Sequence, residues 1–172
     1  HDDQGHLDRA NALAMRLPNS GMIGSTFGRD PSADGLEIGS RWGLAHGSAG
    51  VTEFMLSLAK REDAWRPKAR SRVAELATHA DDLIRHSQSA SAPALSISWC
   101  RGVAGIAHAL LSASDVFDDT STQALAGRAG DACRLWIPHL SAPGQCCGLA
   151  GVGVLFVRLA EIAGNDRFRA AA

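Results

Sequence analysis

Ser98-Trp99-Cys100-Arg101-Gly102-Val103-Ala104-Gly105-Ile106 leads a polar loop into an apolar run through a Gly-x-x-Gly step, with a cysteine two residues before the first glycine. The step recurs in Ala45-His46-Gly47-Ser48-Ala49-Gly50-Val51 and in Cys146-Cys147-Gly148-Leu149-Ala150-Gly151-Val152. Superposing the three first glycines puts Ala45, Cys100 and Cys146 in one column, and His46, Arg101 and Cys147 in the next. Gly47 and Gly102 lie 55 residues apart, Gly102 and Gly148 46 apart, so the repeating unit is a large supersecondary one. A pure scaffold would fill those columns with apolar residues. Metal-type and proton-type side chains stand there instead, and the three turns are expected to face a shared site.

Each step opens an apolar helix. Val51, Phe54, Met55 and Leu58 follow the first, Val103, Ile106 and Leu110 the second, and Leu149, Val152, Phe156 and Leu159 the third, all at helical spacing. Between them lie amphipathic helices. In one, Val73, Leu76, Ala80 and Leu83 form a stripe while Arg70, Arg72, Glu75 and Asp82 lie elsewhere. In the other, Leu125, Ala129, Ala132, Cys133 and Trp136 line one face, with Thr120 or Ser121 as the expected cap and Pro138 as the stop. A further helix is expected over about Asp3 to Leu17, followed by a long polar loop through Pro31 to Gly39. No strand pattern is present. The expected fold is all-α: an α/α toroid or solenoid of helical hairpins, of which this chain supplies an incomplete ring. Such a piece should expose apolar surface at both ends.

Composition narrows the function. Of 172 residues 45% are hydrophobic, and the formal net charge is −1. The basic residues are scattered and not interleaved with aromatics, which argues against nucleic acid. No apolar run approaches the roughly 18 residues needed to span a bilayer. Four cysteines without framework spacing point to a cytoplasmic setting, as thiols or metal ligands.

Cys100, Cys146 and Cys147 offer three thiolates, a set that suits zinc at about 2.3 Å per bond and disfavours magnesium or calcium. The bland alternative is a set of small buried hydrophobes, or a disulfide between the adjacent pair. Recurrence at the repeat's turn favours the metal; Cys133, on a helix stripe, reads as packing. His46 shares the column of Arg101 and Cys147 and suits proton transfer near neutral pH. His108 reads as a hydrogen-bonded core histidine. Trp99 is expected to pack the turn or shape a substrate pocket, and Arg101 to bind a substrate carboxylate or carbonyl or to be solvated.

Gly43-Leu44-Ala45-His46-Gly47, Ser98-Trp99-Cys100-Arg101-Gly102 and Cys146-Cys147-Gly148-Leu149-Ala150-Gly151 together resemble the successive motifs of the lanthionine synthetase C-like cyclases, in the branch with a double cysteine before the last glycine. The resemblance runs from about Gly39 to the C-terminus. It implies an α/α toroid and one zinc ion held by Cys100, Cys146 and Cys147. His46 matches the family's acid/base histidine. The implied reaction adds a peptide cysteine thiolate to dehydroalanine or dehydrobutyrine, closing a thioether ring in a precursor peptide. Members are often fused to a dehydratase or to kinase-like and lyase domains. Residues 1–172 are then expected to be the C-terminal part of a single cyclase domain cut from a longer chain. Two other functions fit the residues: a zinc module that binds glutathione or a partner's cysteine without catalysis, and a metal-free helical scaffold.

Overall fold

The structure, a computed structural model, describes residues 3–17, 42–89, 92, 94–163 and 166–172. Among these residues every regular element is helical. The α-helices are α1 (Asp3–Arg16), α2 (Ser48–Ala59), α3 (Arg66–Ser87), α4 (Val103–Phe117), α5 (Thr120–Trp136), α6 (Leu149–Ala163) and the single turn α7 (Asp166–Arg169). Short 3-10 turns at Asp63–Trp65, Ala94–Ile97 and Ile137–His139 join them. None of these helices is long and apolar enough to cross a membrane.

The apolar helices α2, α4 and α6 pack side by side as an inner layer, and the amphipathic α3 and α5 form an outer one. This is the two-layer arrangement of an α/α toroid, and the described helices make part of the ring. Periodicity decides which helix goes where. In α4, Val103 to Ala107 and Ala109 to Ser114 are all buried, as expected of a helix covered on every side. The expected stripe of α3 (Val73, Leu76, Ala80, Leu83) is buried, and so is that of α5 except for its half-buried Trp136. A core leucine such as Leu110, at 0% exposure, contributes on the order of 2–5 kcal/mol relative to alanine. On α1, Leu7, Ala10 and Ala14 pack with Leu17 over Met55, Leu56, Leu58 and Val73. The polar loop expected through Pro31 to Gly39, and the helix end expected at Gly164 and Asn165, lie outside the described residues.

Four expectations need correction. Arg72 is not on the polar side of α3: it is fully buried, three residues after Ala69 and four before Leu76, on the face those residues share. Asp119, not Thr120 or Ser121, caps α5. Asp118 ends α4 in the left-handed region (φ 54°), the chain straightens at Asp119, and its carboxylate accepts from the Ser121 N–H at 2.9 Å. The buried face of α2 runs through Ala49, Thr52, Met55, Leu56 and Ala59, because α3 and α4 cover it from two sides, and Val51 and Phe54 are left half-buried. Leu149, at the start of α6, is exposed. Apolar surface does appear at both ends of the arc, on Leu13 and Met15 of α1 and on Leu149, Val154, Val157 and Ile162 of α6.

Candidate metal centre

The three turns before α2, α4 and α6 are built alike. A Cβ placed on Gly50, Gly105 or Gly151 would lie 2.0 Å from the carbonyl oxygen six residues earlier, that of Leu44, Trp99 or Gln145. The second glycine of each step is therefore needed for the chain to fold back over its own helix start. The copies also interlock. The Gly105 position lies against Leu44 of the preceding turn, and the Gly151 position lies 2.9 Å from the Trp99 Cβ. Trp99 is thus half-buried as a wedge between the second and third turns.

Backbone hydrogen bonds join the equivalent residues. The Ala45 N–H donates to the Cys100 carbonyl at 3.1 Å, and the Cys100 N–H to the Cys146 carbonyl at 3.1 Å. The column read from the sequence is a physical ladder across the three turns. Gly43 is part of it, since a Cβ there would lie 2.2 Å from the Cys100 carbonyl oxygen and 2.3 Å from the Arg101 Cα.

The ladder brings three sulfurs together. The Sγ atoms of Cys100, Cys146 and Cys147 all lie within 4.8 Å of one another, with Cys100 to Cys147 at 3.3 Å and Cys147 to Cys146 at 3.5 Å. Cys100 is buried at the base of the cluster, and Cys146 and Cys147 are exposed above it. Burial raises the Cys100 thiol, but its hydrogen bonds with Cys146, Cys147 and Ser98, together with the Arg101 charge, outweigh it and hold Cys100 below its ordinary value. Cys147 is pushed up by its hydrogen bond to Cys100, and Cys146, bonded to both neighbours, is pushed up to about 12. The three sulfurs share their protons through these contacts. A soft divalent cation would displace those protons.

Tetrahedral thiolates at about 2.3 Å from zinc stand about 3.8 Å apart. The two closer pairs, at 3.3 and 3.5 Å, need to open by about half an ångström or less to match, and three thiols are a donor set that fits the ion. Cys133 differs in every respect: it is buried at 0% exposure among apolar side chains, which push its thiol up to about 12.

The glycine caps of α2 and α4, Gly47 and Gly102, are extended and receive no side-chain cap, which leaves positive helix ends on the same rim. His46 is exposed on that rim, one residue from the Ala45 rung, and stands outside the sulfur group. Arg101 follows Cys100 directly and is half-buried.

Sequence reasoning passed over three residues that shape this site. Ser98 is 1% exposed, accepts from the Cys100 thiol at 3.7 Å and the Arg101 N–H at 3.3 Å, and donates to the Leu95 carbonyl. Gly43 makes the close approach just described. Trp42 is buried and its carbonyl accepts from the Ala49 N–H. A signal for the first two was present: Gly43, Ser98 and Gly144 form a column of small residues four places before each first glycine.

His108 is only half-buried, and its Nδ1 is enclosed with no hydrogen-bond partner among the described residues, so it is not the satisfied core histidine expected. Burial, reinforced by the Arg158 charge, lowers its pKa to about 4.

The family model described as lanthionine synthetase C-like protein matches residues 20–172. A search of curated proteins returns no match.

Proposed function

The chain belongs to the lanthionine synthetase C-like family, and from that premise we propose that it closes thioether rings in a dehydrated precursor peptide. Cys100, Cys146 and Cys147 would hold one zinc ion. The observation that carries this reading is the convergence of three thiols, from turns 46 residues apart, within 4.8 Å of one another. Zinc bound there supplies a Lewis acid that turns a substrate thiol into a nucleophilic thiolate at neutral pH.

The chain's own residues do the rest. With three protein sulfurs on the ion, a substrate sulfur would be free to join them. Arg101, the residue after Cys100, would hold a carbonyl of the incoming peptide, and Trp99 would stiffen the wall between the second and third turns. When sulfur adds to the β-carbon of dehydroalanine or dehydrobutyrine, the α-carbon must take up a proton. His46, exposed on the same rim, is the group to deliver it.

We assign residues 1–172 to the C-terminal part of one cyclase domain. The exposed Val154, Val157 and Ile162 of α6 are a face for a further inner helix of the ring. A dehydratase, or a kinase-like and lyase pair, would supply the dehydrated residues in the parent protein.

Incubating the parent protein with a dehydrated precursor peptide and following loss of free peptide thiol tests this reading. Wild type should consume thiol. His46→Ala should slow the reaction by roughly 100-fold or more, the scale of a lost general acid, with zinc content unchanged. Parallel loss of zinc and turnover would make His46 structural, and no thiol loss in wild type would overturn the assignment.

A further inference from the structure

We propose that the sulfur cluster is also a redox modification site: in the metal-free protein a hydroperoxide joins Cys100 to Cys147 as a disulfide, removing two of three ligands until a thiol reduces the bond. This regulates the metal site assigned above and rests on that assignment.

The pairing follows from geometry. Cys100 and Cys147 stand with sulfurs 3.3 Å apart, and a disulfide needs about 2.05 Å. Side-chain rotation with a small shift of the turn covers that difference. The two segments are already tied, since the Cys100 N–H donates to the carbonyl of Cys146 at 3.1 Å. The neighbouring pair Cys146–Cys147 is the weaker candidate despite its 3.5 Å separation. Adjacent Cα atoms across a trans peptide are about 3.8 Å apart, below the roughly 4.4–6.8 Å that disulfides usually span, so a bond there would be strained. Cys133 is enclosed in the apolar core and outside the cluster.

Access sets the order of events. Cys147 is exposed, and Cys100 lies beneath it at 1% exposure. With hydrogen peroxide, one oxygen transfers to the Cys147 sulfur, giving a sulfenic acid and water; an organic hydroperoxide gives its alcohol instead. The Cys100 sulfur then attacks the Cys147 sulfur, the S–S bond forms, and the hydroxyl leaves as a second water. Two thiols are oxidised by two electrons and one peroxide is reduced. Zinc engages the same sulfur lone pairs, so the loaded site resists the reaction.

The test uses the parent protein, stripped with a chelator or loaded with zinc, treated with equimolar hydrogen peroxide and digested without reductant. The stripped protein should lose two of the four thiols within these 172 residues and yield a Cys100–Cys147 cross-linked peptide. Its zinc uptake should then fall at least tenfold and return after dithiothreitol. The zinc-loaded protein should keep all four. Cys146→Ser should still form the cross-link. A Cys146–Cys147 bond, a link between chains, or a Cys100 that stays free would overturn the proposal. Zinc uptake by untreated protein is scored separately: its absence sinks the metal assignment, whereas uptake without the cross-link sinks only the redox site.

Discussion

The three inner helices carry polar chemistry at two heights, and the two levels are held in different ways. At the rim, backbone contacts hold the sulfurs: the ladder from Ala45 to Cys100 to Cys146, and glycines whose missing Cβ lets one turn lie against another. Further down the same helices, side-chain hydrogen bonds make the connection. The Ser112 hydroxyl on α4 donates to Glu53 Oε1 on α2 at 2.8 Å, and Arg158 Nη1 on α6 donates to Ser112 Oγ and to the His108 carbonyl, each at 3.2 Å. The rim is well specified by its backbone. The lower bridge leaves Glu53 Oε2 and His108 Nδ1 enclosed without a hydrogen-bond partner among the described residues. Buried groups in that condition destabilise the fold. Order in this molecule is concentrated where the glycines are, and strain from buried charge lies beneath.

The sharpest way to break that contrast is to compare two glycines. Alanine at Gly105 puts a methyl 2.0 Å from the Trp99 carbonyl and 2.9 Å from Leu44, both held by the ladder. Urea denaturation should show Gly105→Ala destabilised by on the order of 3 kcal/mol or more. Gly127, inside α5, faces open space. Gly127→Ala should stabilise by about 1 kcal/mol, the ordinary helix-propensity gain. Equal effects from the two would mean that the turns do not interlock.

A smaller effect sharpens the lower level. Burial raises the Glu53 carboxyl above its usual 4.5, against the opposing pull of its Ser112 hydrogen bond and the Arg158 and Lys60 charges. The folded protein therefore binds that proton more tightly than the unfolded chain does. The stability from this group is complete below pH 4.5 and is lost as pH rises through the raised folded value. Glu53→Gln removes the charge, so its melting temperature should exceed that of wild type at pH 7. The gap should close on acidification toward pH 4. A variant that melts lower at pH 7 would show that the Arg158 and Lys60 charges outweigh the burial.

The same contrast explains what the sequence could and could not disclose. The rim was legible because its geometry demands glycine at fixed offsets, and the cysteine and histidine columns follow once Gly47, Gly102 and Gly148 are superposed. The alternation of apolar and amphipathic helices was legible from the 3.6-residue period. Gly43 and Ser98 were missed although they share a small-residue column with Gly144. Glu53 sits in an apolar run and takes its meaning from Ser112 and Arg158, 59 and 105 residues away, a pairing no local pattern encodes. Arg72 was assigned to the wrong face because its charge was weighed above its position between Ala69 and Leu76. His108, expected as a satisfied core histidine, is only half-buried, and the partner expected for its Nδ1 is absent among the described residues.

The central claim is that sulfurs far apart along the chain grip one ion. X-ray absorption at the zinc edge of the reconstituted parent protein, with metal counted per chain, tests it most directly. One zinc with three protein sulfurs at about 2.3 Å, and one sulfur fewer in Cys100→Ser, is the predicted result. A protein that takes up no zinc, or a sulfur shell that Cys100→Ser leaves unchanged, would contradict it.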